Sequence, residues 1–422
     1  MTARVSIPAV ISIVSGLLLL ALFSALSGYY VYDKKIWPYE QVKKTAQIVR
    51  SYIEYGEFVA EGRRHPAPEG ASREPASLHD PAGSIGEGYY ALMAWDNARG
   101  AYSVFLRGPG GELIHTWPID EMALTDRAKH RQNSPHAMEV LPDGSVVVSF
   151  DKLDLMARLD PCGKALWTRQ GYFHHAFSPA AGGGLWTWYG EHSMRDQIQD
   201  ILKFDPFTGA DIQRISLTEN VIMRSPESAL VFSMFEDFPF QTDANAVDLF
   251  HPNDVEELSP ELAPVFPMFD AGDLMLSLHT MNMVLVIAPT GEVKWYQSGP
   301  WVTPHDPDFE PDGSITLFNN SLFRPRSSIV AIDPENREVE NALAKFNGPF
   351  KSEFRGKHQL LPNGNRLITI PEQGQAIEVA PDGTVVMEFN NVVPDMPHLN
   401  DNMVNAKWMS ASFFETKPSC SN

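Results

Sequence analysis

The chain has 422 residues, of which 53 are acidic and 33 basic, and its formal net charge is −20. This excess of negative charge disfavours nucleic acid as a partner, and an anionic ligand would need a local basic pocket. The 33 prolines and 29 glycines, with only 20% charged residues, indicate a turn-rich β protein rather than a disordered chain. Repeat-built β folds of more than 300 residues often form one continuous body.

The amino-terminal segment predicts a membrane span. Residues 5–32 contain no charged residue and are long enough to cross a hydrocarbon core of roughly 30 Å as a helix. We therefore expect a retained transmembrane signal anchor over residues 1–33, in contact with the membrane through residues 6–32, with cleavage after Ser27 as the alternative. The lysines that follow favour a cytoplasmic body by the positive-inside count, which long following domains can override.

Residues 34–85 are expected to connect this anchor to the body of the protein. Apolar residues recur at three- and four-residue spacings over 38–58, which predicts a juxtamembrane amphipathic helix or a solvated stalk. Residues 60–84 are rich in Pro, Gly, Ser and Arg and are typical of a linker.

From residue 86 to residue 422 one pattern repeats. Strand-like segments follow turns such as Pro142-Asp143-Gly144 and Pro311-Asp312-Gly313, and others close on an aromatic residue, as at Gly291 to Trp295. Regular hairpins with little helical periodicity predict an all-β six-bladed β-propeller, with five or seven blades as alternatives. Inner strands are expected to start at these residues: Tyr89, His136, His174 or His175, His251, His305 and His358. The tail over 404–414 is expected to close the ring against the first blade.

Several histidines share a register within this repeat. His136, His175 and His305 each lie eight residues before a turn glycine, and His358 lies six residues before Gly364. In a strand of period two these offsets leave all four side chains on one face. We therefore expect them to converge on one mouth of the central channel.

Such a histidine cluster could bind a transition metal, or it could supply a nucleophile for an electrophilic centre. Arg324 and Arg326 favour an anion, because guanidinium groups match tetrahedral oxyanions and repel a metal cation. We therefore expect no metal and no cofactor. The two cysteines, Cys162 and Cys420, also lack the spacing of a zinc site; they could form a disulfide in an oxidising compartment, or remain unpaired thiols.

Four segments of the repeat are distinctive: DLFHPNDVEEL, LSLHTMNMVLVIAPTGEVKW, the PHDPDFEPDGSITLFNN run and KHQLLPNGNRLITI. They resemble the corresponding segments of the bacterial arylsulfotransferases and their wider propeller family, and the resemblance covers about residues 86–414. It implies a six-bladed propeller that moves a sulfuryl group from an aryl sulfate donor to a phenolic acceptor through a sulfohistidine. It also implies export, which favours a single-pass inner-membrane protein with its propeller on the periplasmic side.

The resemblance also implies roles for individual residues. His358 is expected to be the nucleophile, a protonated His305 to assist the leaving phenolate, and His251 and Arg324 to complete the catalytic set. Asn253, the partner of His251, is expected to bind substrate, and so is Arg326, which is a competing assignment for Arg324. The other residues expected to bind substrate are His136, His175, His279, Asp306 and Asn320. Leu278 departs from the family, where an arginine often stands, and His279 could compensate.

Two other functions are compatible with the sequence. A non-catalytic propeller could act as a membrane-anchored scaffold, as a homodimer or as a subunit of an envelope complex, because fold does not settle function. A redox propeller with a quinone cofactor is suggested by the Gly-x-x-x-Trp turns that end at Trp167 and Trp295. Those tryptophans can equally lock one blade against the next, since large aromatics bury much area at contacts between sheets.

Overall fold

The computed structural model describes residues 7–34, 39, 63–79, 85–128, 133–191, 199–224, 250–322 and 324–420. The chain divides into two compact units, Met1–Arg64 and His65–Asn422. The predicted juxtamembrane helix over 38–58 lies outside the described residues, except for residue 39.

The first unit contains one long helix, α1, over Ile7–Lys34. Among the described residues, no helix is both long and apolar enough to cross a membrane.

The second unit is built from antiparallel sheets whose strands follow one another along the chain. Two short strands come first, β1 (Arg64–Pro66) and β2 (Ala76–Leu78). The first large sheet contains β3 (Gly88–Asp96), β4 (Ala101–Arg107) and β5 (Leu113–Pro118), and the second contains β6 (Met138–Val140), β7 (Val146–Phe150), β8 (Leu155–Leu159) and β9 (Ala165–Gln170). The third contains β10 (Tyr172–Pro179), β11 (Leu185–Gly190), β12 (Gln199–Phe204) and β13 (Asp211–Ser216).

Three further large sheets follow. The fourth contains β14 (Pro252–Glu257), β15 (Leu274–Leu278), β16 (Met283–Ile287) and β17 (Val293–Ser298), and the fifth contains β18 (Pro304–Phe309), β19 (Ile315–Asn319), β20 (Ser328–Ile332) and β21 (Val339–Asn341). The sixth contains β22 (Lys357–Leu360), β23 (Arg366–Ile370), β24 (Gln375–Val379) and β25 (Val385–Asn390). A hairpin of β26 (Val392–Val393) and β27 (Met396–Asp401) precedes the last strand, β28 (Met403–Ser410).

Short helical segments connect some of these strands. They are the α-helix α2 (Glu121–Leu124), a π-helix over Leu217–Ile222, and 3-10 turns at Asp151–Leu153, Ala263–Val265, His279–Met281 and Pro371–Gln373. The turn glycines have the expected left-handed backbone: φ is 84° at Gly144 and 85° at Gly313, which only glycine adopts without strain.

The C-terminal tail completes the first sheet. β28 pairs with β3 from Met403 to Ser410, as predicted, and occupies the edge of that sheet next to β3. The inner strand of the first sheet is therefore β28 and not the strand at Tyr89. Lys407 on β28 forms an ion pair of 2.5 Å with Glu139 on β6, which links the first and second sheets. Part of the expected linker is also strand, because β2 pairs with β25.

Hydrophobic clusters lie between neighbouring sheets and form the core. Each of six clusters joins residues of one sheet to residues of the next, including one between the sixth sheet and the first. Tryptophan indoles tie the same junctions: Nε1 of Trp167 donates to the carbonyl of Pro206, and Nε1 of Trp295 donates to that of Pro334. The structural role considered for these tryptophans is confirmed. The arrangement is that of a β-propeller, with β28 and the first strands of the other large sheets facing its centre.

Cys162 and Cys420 form a disulfide across 258 residues. It ties the C-terminal tail to the turn before β9, so the disulfide alternative is confirmed.

Candidate functional site

Six histidines from the second to the fifth sheet form one continuous row at the centre of the propeller. We call the histidine row His136, His174, His175, His251, His279 and His305. Ring centroids are 4.4 Å apart for His136 and His175, 5.0 Å for His175 and His251, 4.6 Å for His251 and His279, and 5.1 Å for His279 and His305. His174 joins the row through His175, with their ring centroids 4.8 Å apart.

The strands that carry these histidines start irregularly. The register shifts in β10 between His174 and Ser178, and again at the starts of β14 and β18. His175 and His251 have left-handed φ angles of 60° and 42°, which cost free energy in residues other than glycine. A bulge interrupts the regular alternation of a strand, so it can direct a side chain to a face that the alternation would not give it. The row therefore depends on a repeated local distortion.

Hydrogen bonds fix the rings at both ends of the row. Nδ1 of His305 lies 2.7 Å from Oδ1 of Asn320 and 3.2 Å from the carbonyl oxygen of Thr303. At the other end, Nδ1 of His136 contacts the carboxylate of Asp151. Both bonds hold hydrogen on Nδ1 and leave a lone pair on Nε2.

Burial favours the neutral form of three members of the row, His136, His175 and His305. Burial, reinforced by the neighbouring histidines, lowers the pKa of His175 and of His305 well below the usual value. Burial also lowers the pKa of His136, although Asp151 opposes the shift. His136, His251 and His279 remain partly exposed, so the row is open to a ligand along one side.

Three residues beside the row, and His174 within it, were not among the site residues predicted from the sequence. Arg355 lies in the loop before β22, where its guanidinium donates to Ser134 Oγ at 3.3 Å and contributes to the lowered pKa of His136. The others are Asp151, His174 and Gln199, whose Oε1 lies 2.9 Å from Nε2 of His174. Only His174 had a signal in the sequence, as an alternative strand start beside His175.

Arg324 and Arg326 do not join the row. Both are exposed in the loop after β19, whereas Arg355 acts on His136 at the row. Leu278, where the sequence departs from the family, is fully buried in the core between the third and fourth sheets.

His358 lies in a different environment. Its backbone N–H donates to Asp306 at 2.6 Å, and its Nδ1 lies 2.9 Å from Nη1 of Arg366 and 3.1 Å from Asp308. The strand β22 that carries it pairs with β23 in continuous register. Because β22 has no bulge, the six-residue offset between His358 and Gly364 does not place His358 beside His305. Burial and Arg366 together lower the pKa of His358 to about 4.

His358 lines a cavity of about 720 Å³ whose wall is strongly acidic. We call the acidic cavity the space lined by Asp254, Glu256, Asp306, Asp308 and Glu310 together with Lys357 and His358. Burial and neighbouring carboxylates raise the pKa of Asp254 to about 7, against the effect of Lys357. The pKa values of Glu256 and Asp308 are raised well above the usual range for the same reasons.

Asp306 and Asn253 have structural partners in this part of the chain. Asp306 accepts from Lys357 Nζ at 2.5 Å. Burial raises the pKa of Asp306, but Lys357 and His358 together lower it by more, so the pKa lies below its usual value. Asn253 Nδ2 donates to the carbonyl of Pro304 at 2.9 Å, which fastens β14 to β18. Asp306, Asp308 and His358 bring ligand atoms within 4.8 Å of one another, the geometry that a metal would need. Lys357 and Arg366 already supply cations to this group.

The comparisons with known proteins identify the family. A family profile described as Arylsulfotransferase (ASST) matches residues 137–392. No curated protein sequence matches significantly. Among solved structures, a protein of unknown function from Bacteroides caccae aligns with a TM-score of 0.50 at 11% identity, over 76% of this chain and 99% of that one. The WD40 beta propeller domain of Doa1 aligns with a TM-score of 0.43 at 9% identity, over 84% and 99%.

At these identities the structural likeness concerns the fold alone. The family profile says more, because it runs from the second sheet to the end of the sixth and includes the acidic cavity and every member of the histidine row except His136. Since this match spans more than half of the sequence, the chain belongs to the arylsulfotransferase family.

Proposed function

We propose that this protein is a six-bladed propeller that moves a sulfuryl group from an aryl sulfate to a phenol, with His305 as the residue that carries the group. The observation that carries this proposal is the bond from Nδ1 of His305 to Asn320, at a position in the row where burial lowers the pKa of His305. A neutral imidazole with one nitrogen occupied by an acceptor presents the lone pair of the other nitrogen as a nucleophile.

The orientation of Asn320 supports this assignment. Its Nδ2 donates to the carbonyls of Ser352 and Arg355, at 2.9 Å and 2.7 Å. Because both partners are acceptors, the amide nitrogen faces them and the amide oxygen faces His305. The hydrogen of His305 is therefore on Nδ1, and Nε2 is free to attack.

The proposed reaction has two steps. In the first, Nε2 of His305 attacks sulfur, the bond from sulfur to the phenolic oxygen breaks, and its electron pair leaves with the donor phenolate. In the second, the oxygen of the acceptor phenol attacks the same sulfur, and the electron pair of the N–S bond returns to Nε2. We assign the stabilisation of the charge on the sulfuryl oxygens to Arg355, whose backbone carbonyl accepts from Asn320, because a guanidinium is well shaped for that task.

His358 is a weaker candidate for the nucleophile than the sequence suggested. Nδ1 of His358 is engaged by two groups, Arg366 at 2.9 Å and Asp308 at 3.1 Å, and Arg366 can only donate to it. The carboxylates of the acidic cavity would also repel an aryl sulfate.

A phenol-dependent assay tests the proposal. Release of nitrophenol from 4-nitrophenyl sulfate should accelerate when a second phenol is added, because the acceptor clears the sulfated enzyme. His305→Asn should reduce this release by at least about 10³-fold, the scale seen when a nucleophile is removed. His358→Asn serves as the matched control and should retain at least a tenth of the activity. Full activity of His305→Asn, or no release by the native protein from any aryl sulfate, would refute the assignment.

We further propose that the propeller works in an oxidising compartment outside the cytoplasm. The disulfide between Cys162 and Cys420 supports this location, because disulfides persist where thiols are not kept reduced. Protein isolated from its native cells and denatured without reductant should resist labelling by a maleimide until a reductant is added. Immediate labelling of both cysteines would contradict the location.

A further inference from the structure

We propose that Glu372 is a positioning residue for sulfuryl transfer and that it acts through Ser352. Through Ser352 it holds two groups of the proposed reaction in place at once. One is Asn320, which orients His305, and the other is Arg355, to which we assign the charge on the sulfuryl oxygens. The inference rests on the proposed function for its chemistry, whereas the hydrogen bonds that carry it do not depend on that function.

Ser352 is fully buried and joins two sheets through its hydrogen bonds. Its carbonyl oxygen accepts from Nδ2 of Asn320 at 2.9 Å and from Oγ of Ser327 at 3.1 Å. Its backbone N–H donates to Oγ of Ser327 at 3.1 Å, and its hydroxyl donates to a carboxylate oxygen of Glu372. Ser352 therefore connects the loop after β19, in the fifth sheet, with the turn after β23, in the sixth.

Asn320 is also fully buried, and its orientation depends on the loop over residues 351–355. Its Nδ2 donates to two carbonyl oxygens of this loop, and Nζ of Lys351 donates to the carbonyl oxygen of Asn320 at 2.8 Å. A shift of the loop would therefore disturb most of the bonds that keep Oδ1 of Asn320 facing His305. Groups that support a reacting residue in this way control its geometry without touching the substrate.

The same loop carries Arg355, whose guanidinium donates to Oγ of Ser134 at 3.3 Å. Just before it in the chain, the hydroxyl of Ser352 and the backbone N–H of Glu353 donate to one and the same oxygen of Glu372, the second at 3.1 Å. Glu372 thus fastens the loop at the point from which Arg355 extends. The nucleophile and the cation are therefore held by one anchor.

Glu372 serves in this scheme as a hydrogen-bond acceptor. Burial raises the pKa of Glu372, although Ser352 and Arg355 oppose the shift. An enclosed carboxyl group needs hydrogen-bond partners, and the loop supplies two of them. An amide oxygen in the same place can accept both bonds, whereas a thioether is only a weak acceptor. Glutamine should therefore replace Glu372, and methionine should not.

The first arm of the test reads the resting full-length protein without substrate. With asparagine labelled by nitrogen-15, NMR measures how fast the side-chain amide hydrogens of Asn320 exchange with water. Glu372→Met should speed this exchange by at least about tenfold, the usual worth of a hydrogen bond to a charged group, whereas Glu372→Gln should change it less than about threefold. The matched control, Glu340→Met at an exposed position on β21, should leave it unchanged. Unchanged exchange in Glu372→Met would overturn the proposal.

The second arm measures kcat for transfer from 4-nitrophenyl sulfate to phenol. Glu372→Met should lower kcat by about 10²-fold, the cost of misplacing a reacting group by about 1 Å, and Glu372→Gln should keep at least about half of it. When Arg355 is already replaced by alanine, Glu372→Met should cost less than about tenfold, because the two residues act through one loop and their effects are not additive.

Ser352→Ala removes the same bond from its other end with a smaller change, and it should reproduce both effects if Glu372→Met does not fold. Equal losses of kcat from Glu372→Gln and Glu372→Met would show that the charge acts and not the position, and would overturn the proposal. Full additivity of Glu372→Met with Arg355→Ala would do the same. Failure of the proposed function is a separate result: the native protein would show no transfer, while the exchange arm would still decide whether Glu372 holds Asn320.

Discussion

The histidine row and the acidic cavity are built from the same strands yet have opposite character. On β18, His305 joins the row while Asp306 and Asp308 line the cavity. The row brings imidazoles together with the guanidinium of Arg355, which suits an anion. The cavity instead brings carboxyl groups so close together that the pKa values of Asp254, Glu256 and Asp308 are raised. The difference shows that a bulge of one residue can separate two chemistries along a single strand.

The largest effect is expected from removing Arg355, the cation beside the histidine row. Arg355→Ala should lower kcat/KM for an aryl sulfate by about 10²–10³-fold, the usual cost of losing one group that stabilises charge in a transition state. Arg324→Ala is the matched control, since Arg324 is exposed, and should change kcat/KM less than about twofold. Steady-state kinetics on both variants measure the effect. A larger loss from Arg324→Ala would move the anion site away from the row.

A substitution in the acidic cavity should alter stability instead. The folded protein holds the proton of Asp254 more tightly than the unfolded chain does, because the pKa of Asp254 is raised to about 7. The stability that this group contributes is therefore present at low pH and is lost as pH rises through about 7. Asp254→Asn imitates the protonated carboxyl and should stabilise the protein at pH 8 by roughly 1–3 kcal/mol, by the usual conversion of a pKa shift to free energy.

Asp254→Asn should have little effect at pH 4, because at that pH Asp254 is protonated to a greater extent in both the folded and the unfolded wild-type protein. Asp395→Asn, at an exposed position, is the control and should be neutral at both values of pH. Thermal unfolding of the three proteins at each pH provides the measurement. Destabilisation by Asp254→Asn at pH 8 would mean that the ionised carboxylate is paired and not crowded.

Much of the fold was predictable because it depends on local chemistry. Turn glycines such as Gly144 and Gly313 mark hairpins through the backbone conformation that they alone adopt cheaply. Alternating apolar residues then define strands, and the tail strand β28 was predictable from the same pattern. The sheets and their order follow from these signals without any knowledge of contacts between distant residues.

The site was predictable only in part. The shared offset of eight residues before a turn glycine identified His136, His175 and His305, and all three lie in the row. The offset of six residues before Gly364 predicted that His358 would lie on the same face as His305. That comparison assumes regular alternation in both strands, but β18 contains a bulge and β22 does not. No pattern in the sequence indicated Arg355 as a site residue. It lies in an irregular loop, and only the folded ring brings it near Ser134 and His136.

The central claim is that the sulfuryl group is carried by the histidine row, at His305. The most direct test is to mix the native protein with an aryl sulfate in the absence of acceptor, quench it under alkaline conditions that preserve sulfohistidine, and map the modified peptide by mass spectrometry. The account predicts one added sulfuryl group on His305, which disappears when phenol is supplied before the quench. A sulfuryl group on His358, or none on any histidine while nitrophenol is still released, would contradict it.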